Sequence, residues 1–168
     1  MAVFLVPIIP IVIGALAVTG AGIGTLESNK AKAAKLEEAK KTAAELASEA
    51  QAHLSSGALY PAFRAYRRQI DYVASHFDVA PKVKERAEQA YEELRNKALS
   101  AYRQLKAEYV KNVSAIEIDE EGDEIYQVQQ AFLVKLEKLL GPGAPKLKAF
   151  EESLGVNYQI HKYGITAN

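Results

Sequence analysis

Three histidines, His53, His76 and His161, are the side chains of this 168-residue chain best suited to bind a metal or move a proton near neutrality, and they fall on separate stretches. Only His53 has carboxylates at helical spacing. Glu45, Glu49 and His53 recur every four residues, so they share one helix face that could weakly hold a divalent ion. A helical di-iron centre needs Glu-x-x-His on two helices, and no such tetrad occurs, so a solvated face is expected. Cysteine is absent, which excludes disulfides, thiolate ligands and a cysteine nucleophile. The acidic run from Glu117 to Glu124 does not follow the order of acids and glycine in a helix-loop-helix calcium site. There is no glycine-rich phosphate loop ending in Lys and Ser or Thr, and no serine is framed by a nucleophile motif. Neither an enzyme nor a cofactor, metal or small-molecule substrate is expected.

The densest basic cluster is Arg64, Arg67 and Arg68, with Tyr60 and Tyr72 close in sequence. Arginine beside tyrosine suits phosphate, so lipid headgroups or a protein partner are candidate contacts, against pairing with acids on neighbouring helices. Basic and acidic residues balance at 21 each, which argues against a nucleic-acid binder. The balance is uneven along the chain. Residues 26–116 carry 16 basic and 12 acidic groups and residues 117–168 carry 5 and 9, leaving net charges of +4 and −4.

These residues must be positioned by a chain that begins with a stretch of another kind. Met1 to Thr25 holds no charged side chain, and Val3 to Gly24 is 22 residues of VFLVPIIPIVIGALAVTGAGIG. As helix it would rise about 33 Å, enough to cross a hydrocarbon layer of roughly 30 Å. Pro7 and Pro10 interrupt it, and a helix starting at Pro10 would be short, so a segment buried in a protein assembly competes with a membrane span. Ala15-Leu16-Ala17 would also suit a signal-peptidase site, but no Lys or Arg precedes the run. Ala17, Gly20 and Gly24 fall on one helical stripe. This stripe resembles a glycine zipper, which implies close helix packing in a membrane oligomer or a pore. Lys30, Lys32, Lys35, Lys40 and Lys41 follow, which predicts that the body lies on the cytoplasmic side of a single-pass membrane protein.

The rest reads as mainly α, in one compact body. Residues 26–56 form an Ala/Lys/Glu-rich helical stalk with a narrow stripe of Leu36, Ala39, Ala43, Leu46, Ala50 and Leu54, ended by Ser55-Ser56-Gly57. Residues 57–112 form a helical hairpin. Leu59, Phe63, Tyr66, Ile70, Val73 and Phe77 are its strongest stripe, and Asp78 and Pro81 open a long helix striped by Val83, Ala87, Ala90, Leu94, Ala98, Ala101, Leu105 and Tyr109. Gly57 to Arg68 resembles the turn and second helix of a tetratricopeptide unit at Gly57, Ala62 and Tyr66, with an echo from Ala98 to Arg103. The echo has no turn glycine, and a peptide-binding groove needs several stacked repeats, so hairpin packing is the expectation. Residues 113–168 hold an acidic loop, two short helices and a tail. The loop is expected to lead into a helical turn at Asp123 and Glu124, with a hairpin of Ile116–Ile118 against Ile125–Val128 as the alternative. Ile125, Val128, Phe132, Leu136 and Leu139 give the next helical face, and Gly141-Pro142-Gly143 ends it. In the tail, Val156, Tyr158 and Ile160 alternate with polar residues, which predicts a short strand able to pair in its own chain or with a partner.

The function expected from these features is structural: a membrane-anchored scaffold subunit that contacts lipid and self-associates or docks onto a larger complex. Pore or channel formation through the small-residue stripe, and burial of the N-terminal helix between the subunits of a soluble assembly, are the alternatives.

Overall fold

The structure, a computed structural model, describes residues 26–116 and 123–164, with the side chains of 26–30, 156, 157 and 161 left aside. The apolar stretch and its stripe of Ala17, Gly20 and Gly24 lie outside the described residues, as do 117–122 of the acidic run. Six helices follow in order: α1 (Leu26–Ser56), α2 (Leu59–His76), α3 (Pro81–Ser114), α4 (Asp123–Leu140), α5 (Pro145–Ser153) and α6 (Gly155–Tyr163). Among the described residues there is no strand, and no helix is long and apolar enough to cross a membrane.

The helix ends follow from local chemistry. Proline opens α3 and α5, where its missing N–H is one of the donors a helix start leaves unpaired anyway. The carbonyl of Ala80 accepts the N–H groups of Val83 and Lys84 at 2.9 and 3.1 Å, so Ala80, rather than the expected Asp78, stands at the start of α3. Asp123 and Glu124 lie in the first turn of α4 and Lys138 in its last, each complementing the helix dipole. The Gly141 N–H donates to the Glu137 carbonyl at 2.8 Å and closes α4 at the expected place.

The described helices divide into two compact units. The first takes α1 as far as Ser55 together with Pro61–Arg95. Its core is small-residue: Ala39, Ala43 and Ala50 of α1, Ala62 and Ala65 of α2 and Ala87 of α3 are buried, with Tyr66, Ile70, Val73 and Leu94 between them. Alanine faces let helix backbones approach closely, which is how a stripe so poor in bulk can still be sealed. The second unit takes Ser56–Tyr60 and the chain from Asn96 onward. Its core is made of Phe132, Leu133, Leu136, Leu139 and Leu140 of α4, with Tyr158 of α6 and Ala98 of α3. The Tyr109, Phe132 and Phe150 rings from α3, α4 and α5 meet with centroids 4.5 to 5.5 Å apart.

The expected helical turn at Asp123 and Glu124 is present and its hairpin alternative falls away, while the expected strand in the tail is corrected. Ile125–Val128, the second arm of the alternative hairpin, forms the beginning of α4. The tail holding Val156, Tyr158 and Ile160 is α6, not a strand. Six alternating residues do not distinguish the two periods well, and a strand without a neighbour leaves its backbone groups unpaired whereas a helix pairs its own. The anchor decides: Tyr158 is buried, its ring centroid lies 5.3 Å from that of Tyr126, and its hydroxyl donates to Gln130 Oε1 at 2.8 Å. Lys162 also pairs with Glu151, tying α6 to α5.

Candidate functional site

The second unit has an open groove of about 390 Å³ between α3 and α4. From α3 it takes Leu105, Glu108, Tyr109 and Asn112, whose spacing puts them on one helical face. From α4 it takes Glu124, Gln127, Val128, Ala131, Phe132 and Lys135. Its volume falls within the range of ligand and side-chain pockets. Tyr109 and Phe132 supply an aromatic floor, held from behind by Phe150, and a Lys135–Glu108 ion pair at 2.6 Å ties the two walls. Both partners of that pair are about half exposed, so it contributes about 1 kcal/mol or less. Glu124, Asn112 and Gln127 complete a polar rim around apolar Leu105, Val128 and Ala131. The lining thus mixes apolar and aromatic side chains with amides and charged groups.

Sequence periodicity named Leu105, Tyr109, Val128 and Phe132 as stripe members but not as facing walls. A signal was present: Asn112 and Gln127 carry amides close to where the two apolar stripes run out, as expected at the rim of a half-covered face.

The basic cluster is largely consumed within the first unit. Arg67 donates to Asp71 of α2 and, at 2.8 Å, to Glu88 of α3, with its guanidinium carbon 5.4 Å from the Tyr91 ring centroid. The hydrogen bond to Asp71, and then the charge of Glu88, hold its pKa above the ordinary arginine value. Arg68 donates to Glu49 of α1 at 2.5 Å. Arg64 is exposed on α2 and has no ion pair among the described residues.

Glu49 also lies 3.6 Å from His53 Nε2. Among the described residues no group of three or more His, Asp or Glu side chains is placed to hold a metal ion. His76 stacks on Tyr72 at 4.1 Å, with its Nδ1 2.8 Å from Ser75 Oγ and 2.9 Å from the Tyr72 carbonyl.

Two buried polar atoms escaped sequence reasoning. Gln69 and Tyr66 are 2% and 3% exposed on the inner face of α2, and among the described residues neither Gln69 Oε1 nor the Tyr66 hydroxyl has a hydrogen-bond partner. Burial, with a smaller push from the charge of Glu88, raises the Tyr66 pKa and keeps the hydroxyl neutral. No protein-family model, curated protein or solved structure matches this chain.

Proposed function

We propose that this protein is a non-enzymatic structural subunit, anchored in a membrane by residues 3–24 with its helical body on the cytoplasmic side, that self-associates or docks onto a larger complex through helical faces. The observation that carries this reading is the change of composition at residue 25: 22 residues without a charge precede a helix rich in Ala, Lys and Glu. Water rejects the first and dissolves the second, and a bilayer satisfies both. The groove between α3 and α4 supports docking, since Tyr109 in its lining is only half-buried by its own unit.

Alkaline extraction of membranes from cells expressing the full chain, beside a version beginning at Leu26, tests the anchor. The full chain should resist extraction and the truncation should be released in folded form. Sizing in mild detergent then separates a monomeric tether from an oligomer. A full chain that washes off, or sediments as a large particle free of lipid, defeats the membrane reading and leaves burial of the segment between protein subunits.

A further inference from the structure

Resting on the membrane reading above, we propose that the first turns of α1 bind the headgroups of anionic phospholipids, with Lys32 and Lys35 as the contacts. Residues 31–35 are exposed on every side of the helix, in contrast to the part of α1 where Ala39, Ala43 and Ala50 are buried. The lysines divide at the same place. Lys40 pairs with Glu37 at 2.7 Å and Lys41 lies 3.9 Å from Glu45, whereas Lys32 and Lys35 have no ion pair among the described residues. Residues 26–35 contain one acid, Glu27, and three lysines, Lys30, Lys32 and Lys35, a net charge of +2.

Distance makes the same division. At a helical rise of 1.5 Å per residue, Lys32 and Lys35 lie about 9 and 14 Å beyond Leu26, and Lys40 and Lys41 about 21 and 23 Å. Helix Cβ bonds tilt toward the N-terminus, and a lysine stem can extend that lean by several ångströms, so the ammonium groups can reach back toward the start of α1. Lys32 and Lys35 thus come within about one Debye length, roughly 8 Å at physiological salt, of a membrane surface at the start of α1. Lys40 and Lys41 stay beyond it and have carboxylates of their own helix beside them. A patch of unpaired ammonium groups on an exposed helix, held at headgroup depth, matches phosphatidylserine-like lipids, whose surface potential attracts each nearby lysine.

The test partitions the full chain between floated vesicles of phosphatidylcholine alone and of phosphatidylcholine with phosphatidylserine. Anionic lipid should be preferred by about five- to thirty-fold, the effect of two lysines near the surface, with the preference lost at high salt. The pair K32Q/K35Q should remove most of the preference, leaving only the share of Lys30, while association with neutral vesicles stays unchanged. The pair K40Q/K41Q should keep it. Circular dichroism of both variants should match the parent, because all four positions are solvent-facing or half-exposed. Equal binding to both vesicle types, or loss of preference only in K40Q/K41Q, overturns the headgroup contact and leaves the anchor standing. A chain that floats with neither vesicle removes the anchor itself and this inference with it.

Discussion

The two units reach similar helical order by opposite means. The first is sealed by alanine: six buried alanines on three helices do the work, and the large buried side chains are partly polar. Rings and leucines seal the second, with Tyr109, Phe132 and Phe150 in mutual contact and Tyr158 carrying its hydroxyl to a partner. An alanine face buries little area per residue, so it relies on close backbone approach and loses stability whenever anything larger intrudes. A ring buries about 150–250 Å² and gains contact in several directions. The first unit should therefore be sensitive to added volume and the second to lost volume.

The largest effect that this contrast predicts is at Phe132. Phe132→Ala removes the ring shared by Tyr109 and Phe150 and should destabilise the fold by about 3–5 kcal/mol, read as a shift in the urea midpoint by circular dichroism. In the alanine unit the reverse change is the damaging one. Ala43 is fully buried, and Ala43→Leu should cost about 1–3 kcal/mol through overpacking; an unchanged midpoint would show that α1 is not tightly packed there.

A third change should be neutral or improve stability. Gln69→Leu removes an orphaned buried acceptor and is expected to leave stability unchanged or raise it by up to about 2 kcal/mol, with a loss pointing to a partner for Gln69 that the fold conceals. The smallest effect needs alkaline pH. Burial raises the pKa of Tyr66 in one unit and of Tyr158 in the other, where Tyr126 and Tyr163 add to it. As pH climbs past the ordinary tyrosine value, the unfolded chain releases these protons first, so the stability present below that value declines until the folded pKa is passed. Tyr66→Phe and Tyr158→Phe should each flatten part of that decline in a pH series of thermal melts. At neutral pH they should differ, because Tyr158→Phe forfeits a hydrogen bond to Gln130 and Tyr66→Phe forfeits none.

Much of the fold was legible in the residues. Every member of the α1 stripe from Leu36 to Leu54 is buried or half-buried, as is every member from Leu59 to Phe77, because large and small apolar side chains at helical spacing leave one way to exclude water. Val83 departs from its stripe and stays 39% exposed at the open start of α3. Pattern failed where two periods fit equally well, as in the tail from Val156 to His161, and where a polar side chain sits on an apolar face, as Gln69 does. Of the candidate site, Tyr109 and Phe132 were visible as stripe members. Their meeting across α3 and α4 was not, because periodicity assigns a side chain to a face and leaves open which other face it meets. Arg67 and Arg68 showed the same limit: the cluster was evident, and two of the three carboxylates that engage it, Glu49 and Glu88, come from the helices before and after α2.

One residue sets the change of direction between α5 and α6. Gly155 has φ +82, and a Cβ built on it would meet nothing within 4 Å, so neighbouring atoms are not what bars a larger residue there. The obstacle is handedness, since the Cβ of an L-residue in that conformation crowds the carbonyl oxygen at a cost of about 1–2 kcal/mol. Stereochemistry alone therefore guards this corner, and a mirror-image alanine introduced by chemical synthesis would keep the turn while narrowing the unfolded chain's freedom. The separation of the last two helices, and with it the approach of Tyr158 to Gln130, is written into an achiral carbon.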